Sequence, residues 1–282
     1  MDYLERNRGP GASQLAHPDL ADGLPRRALG WRPLWLVPAG LFVVMLVAWE
    51  LLVLAGVVDA LLFPPPSRIL ESAGELTANG VLPGHIAATV LRVLAAVVLG
   101  AGLGTLLGVA MGSSHRLRSV LDPIIGALHP VPKIAILPLI MVVFGIGDVS
   151  LVIVIATGAF FPMLINTMSG VHQINPTYLD IARLHGVGGL RKMRRITLPA
   201  AGPSMMAGLR LSLNTALLIT VAVEMIAART GLGSMIWLSW STLRTEHIYV
   251  AIAVTIAFGL AVNGLLSWMT RRTLPWFHGR LR

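Results

Sequence analysis

Polar and charged side chains are rare inside the apolar runs of this 282-residue chain, so those that do occur there are the first candidates for chemistry. One run holds Asn166 and Thr167; another holds Ser212, Asn214, Thr215, Thr220 and Glu224. Hydroxyls and amides of this kind either line a path for a polar solute or glue helices together through hydrogen bonds. Glu224 is the costliest of the set if charged. It is expected to cap a helix, to pair with Arg229, or to form part of an outer gate. Glu50 must reach a polar partner or carry a proton. Arg92 and Arg210 sit near the ends of runs, where a long stem can snorkel toward water; the other reading is that they help attract an anion.

Enzymatic chemistry finds little to work with. The chain has no cysteine, which excludes thiolate nucleophiles, thiolate metal sites and disulfides. His115, His129, His172, His185 and His247 are scattered without metal-ligand spacing, and no carboxylate is placed to activate Ser113 or Ser114 beside His115. No G-x-x-x-x-G-K-[ST] occurs, and neither Lys133 nor Lys192 follows a glycine, so no P-loop cradles ATP phosphates here. The expectation is a chain with no catalytic residue, cofactor or metal site, driven by another polypeptide or by an ion gradient.

The elements that must position these groups are membrane spans. Hydrophobic residues make up 55% of the chain and charged residues 12%, against about 25% charge in ordinary soluble domains. A span needs about 20 apolar residues, and Leu34–Val57, Ala88–Met111, Ser150–Gly170, Met205–Ala227 and Tyr249–Met269 supply them. Leu117–Gly147 reads as a sixth, interrupted by Pro123, Pro130, Pro132 and Pro138, with its first part expected to be buried in protein. With the N-terminus inside, the cytoplasmic segments 1–33, 112–133, 172–204 and 270–282 carry 17 basic residues and the outer ones only Arg68, Arg229 and Arg244. That bias predicts an all-α, six-span membrane protein with both termini in the cytoplasm. Its parts are a disordered tail over 1–33 with no signal peptide, a six-helix transmembrane body over 34–272, and a short tail over 273–282. The formal charge of +9 is explained by loop arginines rather than by a nucleic-acid footprint. On the outer side, Phe63-Pro64-Pro65-Pro66 gives a stiff entry, Ser67–Asn79 reads as a surface helix, and Trp237, Trp240 and Tyr249 suit an interfacial belt.

Two local patterns stand out. Gly100, Gly104, Gly108 and Gly112 recur every fourth residue, which puts them on one helix face and predicts a tight seam, within the chain or between subunits. The cytoplasmic segment 175–203 opens with Asn175-Pro176. Thr177 and Asp180 are expected to form a capping box, Leu179 and Ala182, with or without Ile181, an apolar face, and Gly186 a left-handed stop. The basic run Arg191–Arg195 is expected to end at Leu198-Pro199 and Pro203 before the chain re-enters the membrane. Such a short amphipathic helix needs either a protein partner or an acidic lipid surface.

The spacing Asp180-Ile-Ala182-x3-Gly186-x9-Ile196-x-Leu198-Pro199 resembles the EAA motif of ABC importer permeases, with Asp180 and Ile181 in place of the usual Glu and Ala. Pro130-Val-Pro132-Lys133, Phe144-Gly145-Ile146-Gly147, Phe160-Phe161-Pro162, Gly208-Leu209-Arg210 and Glu224 followed by Gly231-Leu232-Gly233 are similar to signatures of the nitrate, sulfonate, taurine and bicarbonate branch. The resemblance spans roughly residues 40–272. It implies a type I importer fold in a bacterial inner membrane and a homodimer receiving solute from an extracytoplasmic substrate-binding protein. It also implies two cytoplasmic ATPase subunits, which bind the ATP and Mg, docked through Thr177, Tyr178, Leu179, Asp180, Ala182, Arg183, Gly186, Leu198 and Pro199. Two rival classes make different demands. A gradient-driven secondary transporter predicts an internal repeat and a paired intramembrane carboxylate; a membrane enzyme predicts a clustered acid–base or metal set.

Overall fold

The computed structural model describes residues 36–274. The tails expected over 1–33 and 273–282 lie outside the described residues, apart from Thr273 and Leu274, as does the start of the first crossing. The chain divides into two compact units after Ala48. The described part of the first is the N-terminal portion of α1 (Leu36–Leu54), a wholly apolar stretch whose Leu41 and Phe42 are exposed as lipid-facing side chains are.

The second unit holds the end of α1 and everything after it. A helix α2 (Pro66–Ala78) starts on a proline, whose fixed φ and missing N–H suit the first turn. Next come α3 (Val81–Ser113), α4 (His115–Leu128), a 3₁₀ turn (Lys133–Ile136) with α5 (Leu137–Phe144), and α6 (Asp148–His172). The segment after α6 contributes α7 (Pro176–Leu184) and α8 (Gly189–Lys192); α9 (Leu198–Ala227), α10 (Leu232–Ser241) and α11 (Thr245–Thr273) complete the described residues. Among the described residues, five helical paths are long and apolar enough to cross a membrane, or six if the bent pair α4 and α5 counts as one.

The core is the stack of α3 on α6 on α9. Val93, Ala96 and Ala101 of α3, Val154, Ile155 and Ala159 of α6, and Ala216 and Val223 of α9 are buried in one cluster. A second cluster, around Leu82, Leu232, Met235, Val250 and Ala251, ties α10 and α11 to α3 and receives Ile69 and Leu76 of α2. Trp237 and Trp240 stand exposed with ring centroids 5.0 Å apart, and Tyr249 packs on Trp49 at 5.4 Å.

Two expectations are corrected. The first part of the interrupted crossing is not enclosed: of the α4 residues only Ile125 is buried. One apolar row of the helix, Leu117, Leu121 and Ile125, packs against α3 and α6, a second, Val120, Ile124 and Leu128, is exposed, and Arg118 and Asp122 form a 3.7 Å ion pair. At the prolines the pair turns through 86°, with Lys133 Nζ donating to the His129 carbonyl at the break. The second correction concerns Pro199 and Pro203, which do not stop the chain; helical backbone runs from Gly189 to Ala227. A π turn over Met193–Thr197, with the Leu198 N–H donating to the Met193 carbonyl, precedes Pro199. Its wider winding keeps the carbonyl four residues back clear of the proline ring, which a regular α turn would not.

Candidate functional site

The segment between α6 and α9 is built around α7. Asn175 Oδ1 accepts the Thr177 N–H at 2.9 Å, so Asn175 is the cap, with Pro176 at the first helical position and Thr177 inside the helix. This replaces the expected Thr177–Asp180 box: proline has no N–H to satisfy, which leaves the next one for the asparagine. At the other end Gly186 adopts φ +67°, and the Val187 N–H reaches the Ala182 carbonyl at 2.8 Å. That six-to-one bond is a Schellman closure, and it requires the left-handed residue that glycine provides.

One face of α7 is anchored and the other is free. Ala182 is 2% exposed, and Leu179 packs on Val171, Ile174 and Ala201, where α6 and α9 come together. Tyr178, Ile181 and Leu184 are exposed, Leu184 at 85%, so Ile181 belongs to the outer face and not to the anchored one. Asp180 is also exposed, and Arg183 lies within α7. Leu198 and Pro199 open α9 just beyond the π turn. A recess of about 270 Å³ separates α7 and α8 from the ends of α3 and α6; Ser113, His172, Leu179 and Lys192 are among the residues that line it.

At the opposite end of the same helices lies a buried charge knot. The Arg92 guanidinium is 6% exposed and donates to Glu224 Oε1 at 2.7 Å, to the Thr230 carbonyl at 2.5 Å and to Thr230 Oγ1 at 3.0 Å. Its remaining edge holds Asp148 Oδ1, at 2.9 Å from Nε and 2.8 Å from Nη2. Glu224, fully buried, also accepts from Thr89 Oγ1 and from the Gly233 N–H at 3.0 Å. Thr89 Oγ1 in turn accepts the Leu232 N–H at 2.8 Å, and the His85 ring meets the Gly231 N–H at 3.0 Å. A Cβ at Gly231 would run into the Glu224 carboxylate. The Glu224 and Gly231-Leu232-Gly233 pattern is therefore the stitch that fastens the start of α10 to α3. Glu224 pairs with Arg92 rather than Arg229, and Arg92 neither snorkels nor offers an open edge to an anion. An arginine and a glutamate inside separate crossings each required a partner, and that was the signal for pairing them.

The other intramembrane polar groups fall into two sets. Thr167, Ser212 and Thr220 are buried. Ser212 donates across to the Ala159 carbonyl at 2.7 Å, Thr220 bonds its own helix at the Ala216 carbonyl, and the Thr167 hydroxyl makes no hydrogen bond among the described residues. Asn166 donates to the Pro162 carbonyl and Thr215 to the Leu211 carbonyl, each four residues back. Asn214 is exposed and accepts from Asn263 Nδ2 at 3.1 Å, and Arg210, one turn below, donates to Ser267 at 3.1 Å. Glu50, finally, receives the Ser67 hydroxyl at 2.7 Å and the Ser67 N–H at 3.1 Å at the start of α2.

Comparison with known proteins adds a family context. Residues 100–275 match the family model described as binding-protein-dependent transport system inner membrane component. The chain is 33% identical over 251 residues to the putative aliphatic sulfonates transport permease protein SsuC of Bacillus subtilis (strain 168), covering 89% of this chain and 90% of that one. It is 31% identical over 268 residues to the taurine transport system permease protein TauC of Escherichia coli (strain K12), covering 92% and 97%. To the nitrate import permease protein NrtB of Leptolyngbya laminosa it is 31% identical over 191 residues, covering 68% of each. Among solved structures, an inward-facing form of the MetNI methionine ABC transporter superposes with a TM-score of 0.58 at 16% identity, over 68% of this chain and 95% of that one. That similarity is one of fold.

Proposed function

We propose a function from one premise: the chain belongs to the family of binding-protein-dependent transport system inner membrane components, and it is the membrane-spanning permease of an ABC-type importer. In this reading two copies form the pore, an extracytoplasmic binding protein delivers a small oxyanion such as a sulfonate, taurine, nitrate or bicarbonate, and two cytoplasmic subunits bind and hydrolyse ATP. The oxyanion class is supported by the sulfonate, taurine and nitrate permeases to which the chain is similar.

The observation that carries the mechanism is the two-sidedness of α7. Leu179 and Ala182 lock it to the ends of α6 and α9, while Tyr178, Ile181 and Leu184 stand in solvent at successive turns. An apolar ridge with that spacing is the shape a groove on a partner receives. A pull on α7 would reach α9 through the packing of Leu179 on Ala201, and the unbroken helical path from Gly189 to Ala227 would carry it along the crossing. Closure of the ATPases on nucleotide would then tilt the pore helices between outward- and inward-open arrangements, a rigid-body switch biased by ATP.

The test uses Leu184, whose side chain is exposed, so that a charge there disturbs no packing among the described residues. Leu184→Glu is expected to lower recovery of the ATPase subunit with the tagged permease by about tenfold or more, since a charge then faces an apolar groove. The permease itself should be recovered in normal amount. Equal recovery of the ATPase with the variant and the parent overturns the docking assignment.

A further inference from the structure

The two arginines inside the crossings have opposite circumstances. Arg92 is saturated: two carboxylates, a carbonyl and a hydroxyl occupy its donors. Among the described residues Arg210 makes one hydrogen bond, from Nη2 to Ser267 Oγ, and is exposed. One turn further along α9, Asn214 has its carbonyl oxygen taken by Asn263 Nδ2, while its own amide nitrogen makes no hydrogen bond among the described residues. The unused hydrogen-bonding groups of these two side chains are thus mainly N–H donors, one set of them cationic, with one lone pair left on Asn214 Oδ1.

Their depth makes this arrangement costly without an occupant. On α11, Ser267 lies one turn and Asn263 two turns above Arg271, or about 6 and 12 Å along the axis. Arg210 could snorkel from the first rung, but a short asparagine at the second cannot, and amide donors facing hydrocarbon cost several kcal/mol. The only acidic residue on α9 is Glu224, committed to Arg92, and the only one on α11 is Glu246 at its far end beside Arg68. Among the described residues Arg210 has no ion-pair partner, and an anionic occupant would satisfy both it and the amide at the second rung.

We infer that Arg210 and Asn214, braced by Ser267 and Asn263, form an anion-binding step on the water-filled solute path, taking a small oxyanion such as a sulfonate or nitrate. Arginine presents a flat fork of donors that matches two oxygens of such a group, and the amide above it supplies a further donor as the anion moves on. The inference rests on the permease reading and gives that pore its charge selectivity. An anionic lipid headgroup offers the same oxygens, so the experiment must separate the two sources.

Because the chain has no cysteine, single thiols can be introduced without further changes. The permease–ATPase complex carrying Asn214→Cys is placed in phosphatidylcholine nanodiscs and treated with the anionic reagent 2-sulfonatoethyl methanethiosulfonate or its trimethylammonioethyl counterpart. Ala207→Cys, exposed one turn below Arg210, repeats the measurement with Asn214 intact. Leu190→Cys on the exposed cytoplasmic segment serves as the reference thiol.

The anionic reagent is expected to gain about tenfold over the cationic one relative to the reference. Arg210→Gln should abolish that preference, and millimolar nitrate should slow the anionic reaction. No labelling by either reagent places lipid or protein over the face and overturns the proposal. So does a preference that survives Arg210→Gln, or equal rates for the two reagents. A preference lost when phosphatidylglycerol is added assigns the arginine to a headgroup instead and likewise overturns it. Labelling requires no turnover, so a complex that keeps its ATPase yet shows no charge preference refutes this site and leaves the permease reading intact.

Discussion

Arg92→Leu is expected to leave little folded permease, because it strands two carboxylates that one guanidinium now holds. Glu224 is fully buried and has no water to turn to, and its other partners, Thr89 and the Gly233 N–H, are neutral. Removing one member of a buried pair costs about 3–5 kcal/mol, chiefly as the penalty of the abandoned charge. Measured as thermal unfolding in detergent, the variant should melt far below the parent or elute as aggregate. Asp148→Asn gives the contrast. Its side chain is 72% exposed, water can replace the arginine, and the loss should stay within about 1 kcal/mol. Arg92→Lys should fall between, since a point charge cannot span Asp148, Glu224 and Thr230 together. The double variant Arg92→Met with Glu224→Gln removes both charges while an amide oxygen still accepts from Thr89 and Gly233. It should recover much of the lost stability. If Arg92→Leu melted with the parent, the knot would have no part in holding α3, α6, α9 and α10 together.

That knot also marks where sequence reading runs out. The spans were legible, because hydropathy acts segment by segment; most boundaries moved by two to four residues, though α3 begins at Val81 and α9 at Leu198, each seven residues before the apolar run suggested. The closure at Gly186 was legible for the same reason: a left-handed residue after an apolar turn is a local matter. Asn175 was visible in principle, since an asparagine directly before a proline at the first helical position is a cap. The partners of Arg92 were not, lying 56 and 132 residues further along the chain and brought to it only by the packing of α6 and α9 on α3. Pro199 misled because its usual effect assumes an α turn before it, and the π turn removes the clash that would have ended the helix. Ile181 misled in a smaller way. Three apolar residues within four positions cannot all share one face of a helix, and Leu179 and Ala182 took the inner one.

The largest packing effect is expected at the glycine ladder, where Gly104→Leu should prevent α3 from seating on α6 at all. An ideal Cβ at Gly104 would lie 2.6 Å from the Phe160 carbonyl oxygen and 3.1 Å from the Leu164 nitrogen, both backbone atoms that cannot step aside. Gly108 faces the Leu164 carbonyl oxygen at 2.7 Å, Gly112 the Met168 carbonyl oxygen at 2.8 Å, and Gly100 abuts the Ala156 carbonyl. Even Gly104→Ala must push two long helices apart, at about 1–3 kcal/mol for an overpacked contact. In a membrane this loss has no hydrophobic compensation, because lipid tails solvate the separated faces as well as the helices solvate each other. Gly102 is the internal control: it lies on the same helix, and a Cβ there meets nothing within 4 Å. Gly102→Ala should be neutral or gain up to about 1 kcal/mol from helix propensity alone. A melting series on Gly102→Ala, Gly104→Ala and Gly104→Leu therefore separates the general cost of altering glycine from the cost of this seam. If all three variants behaved alike, the four-residue spacing would be incidental to the fold. If they diverge as expected, the close approach of backbone at these four glycines is what seats α3 on α6, the pairing that also brings Arg92 to Asp148.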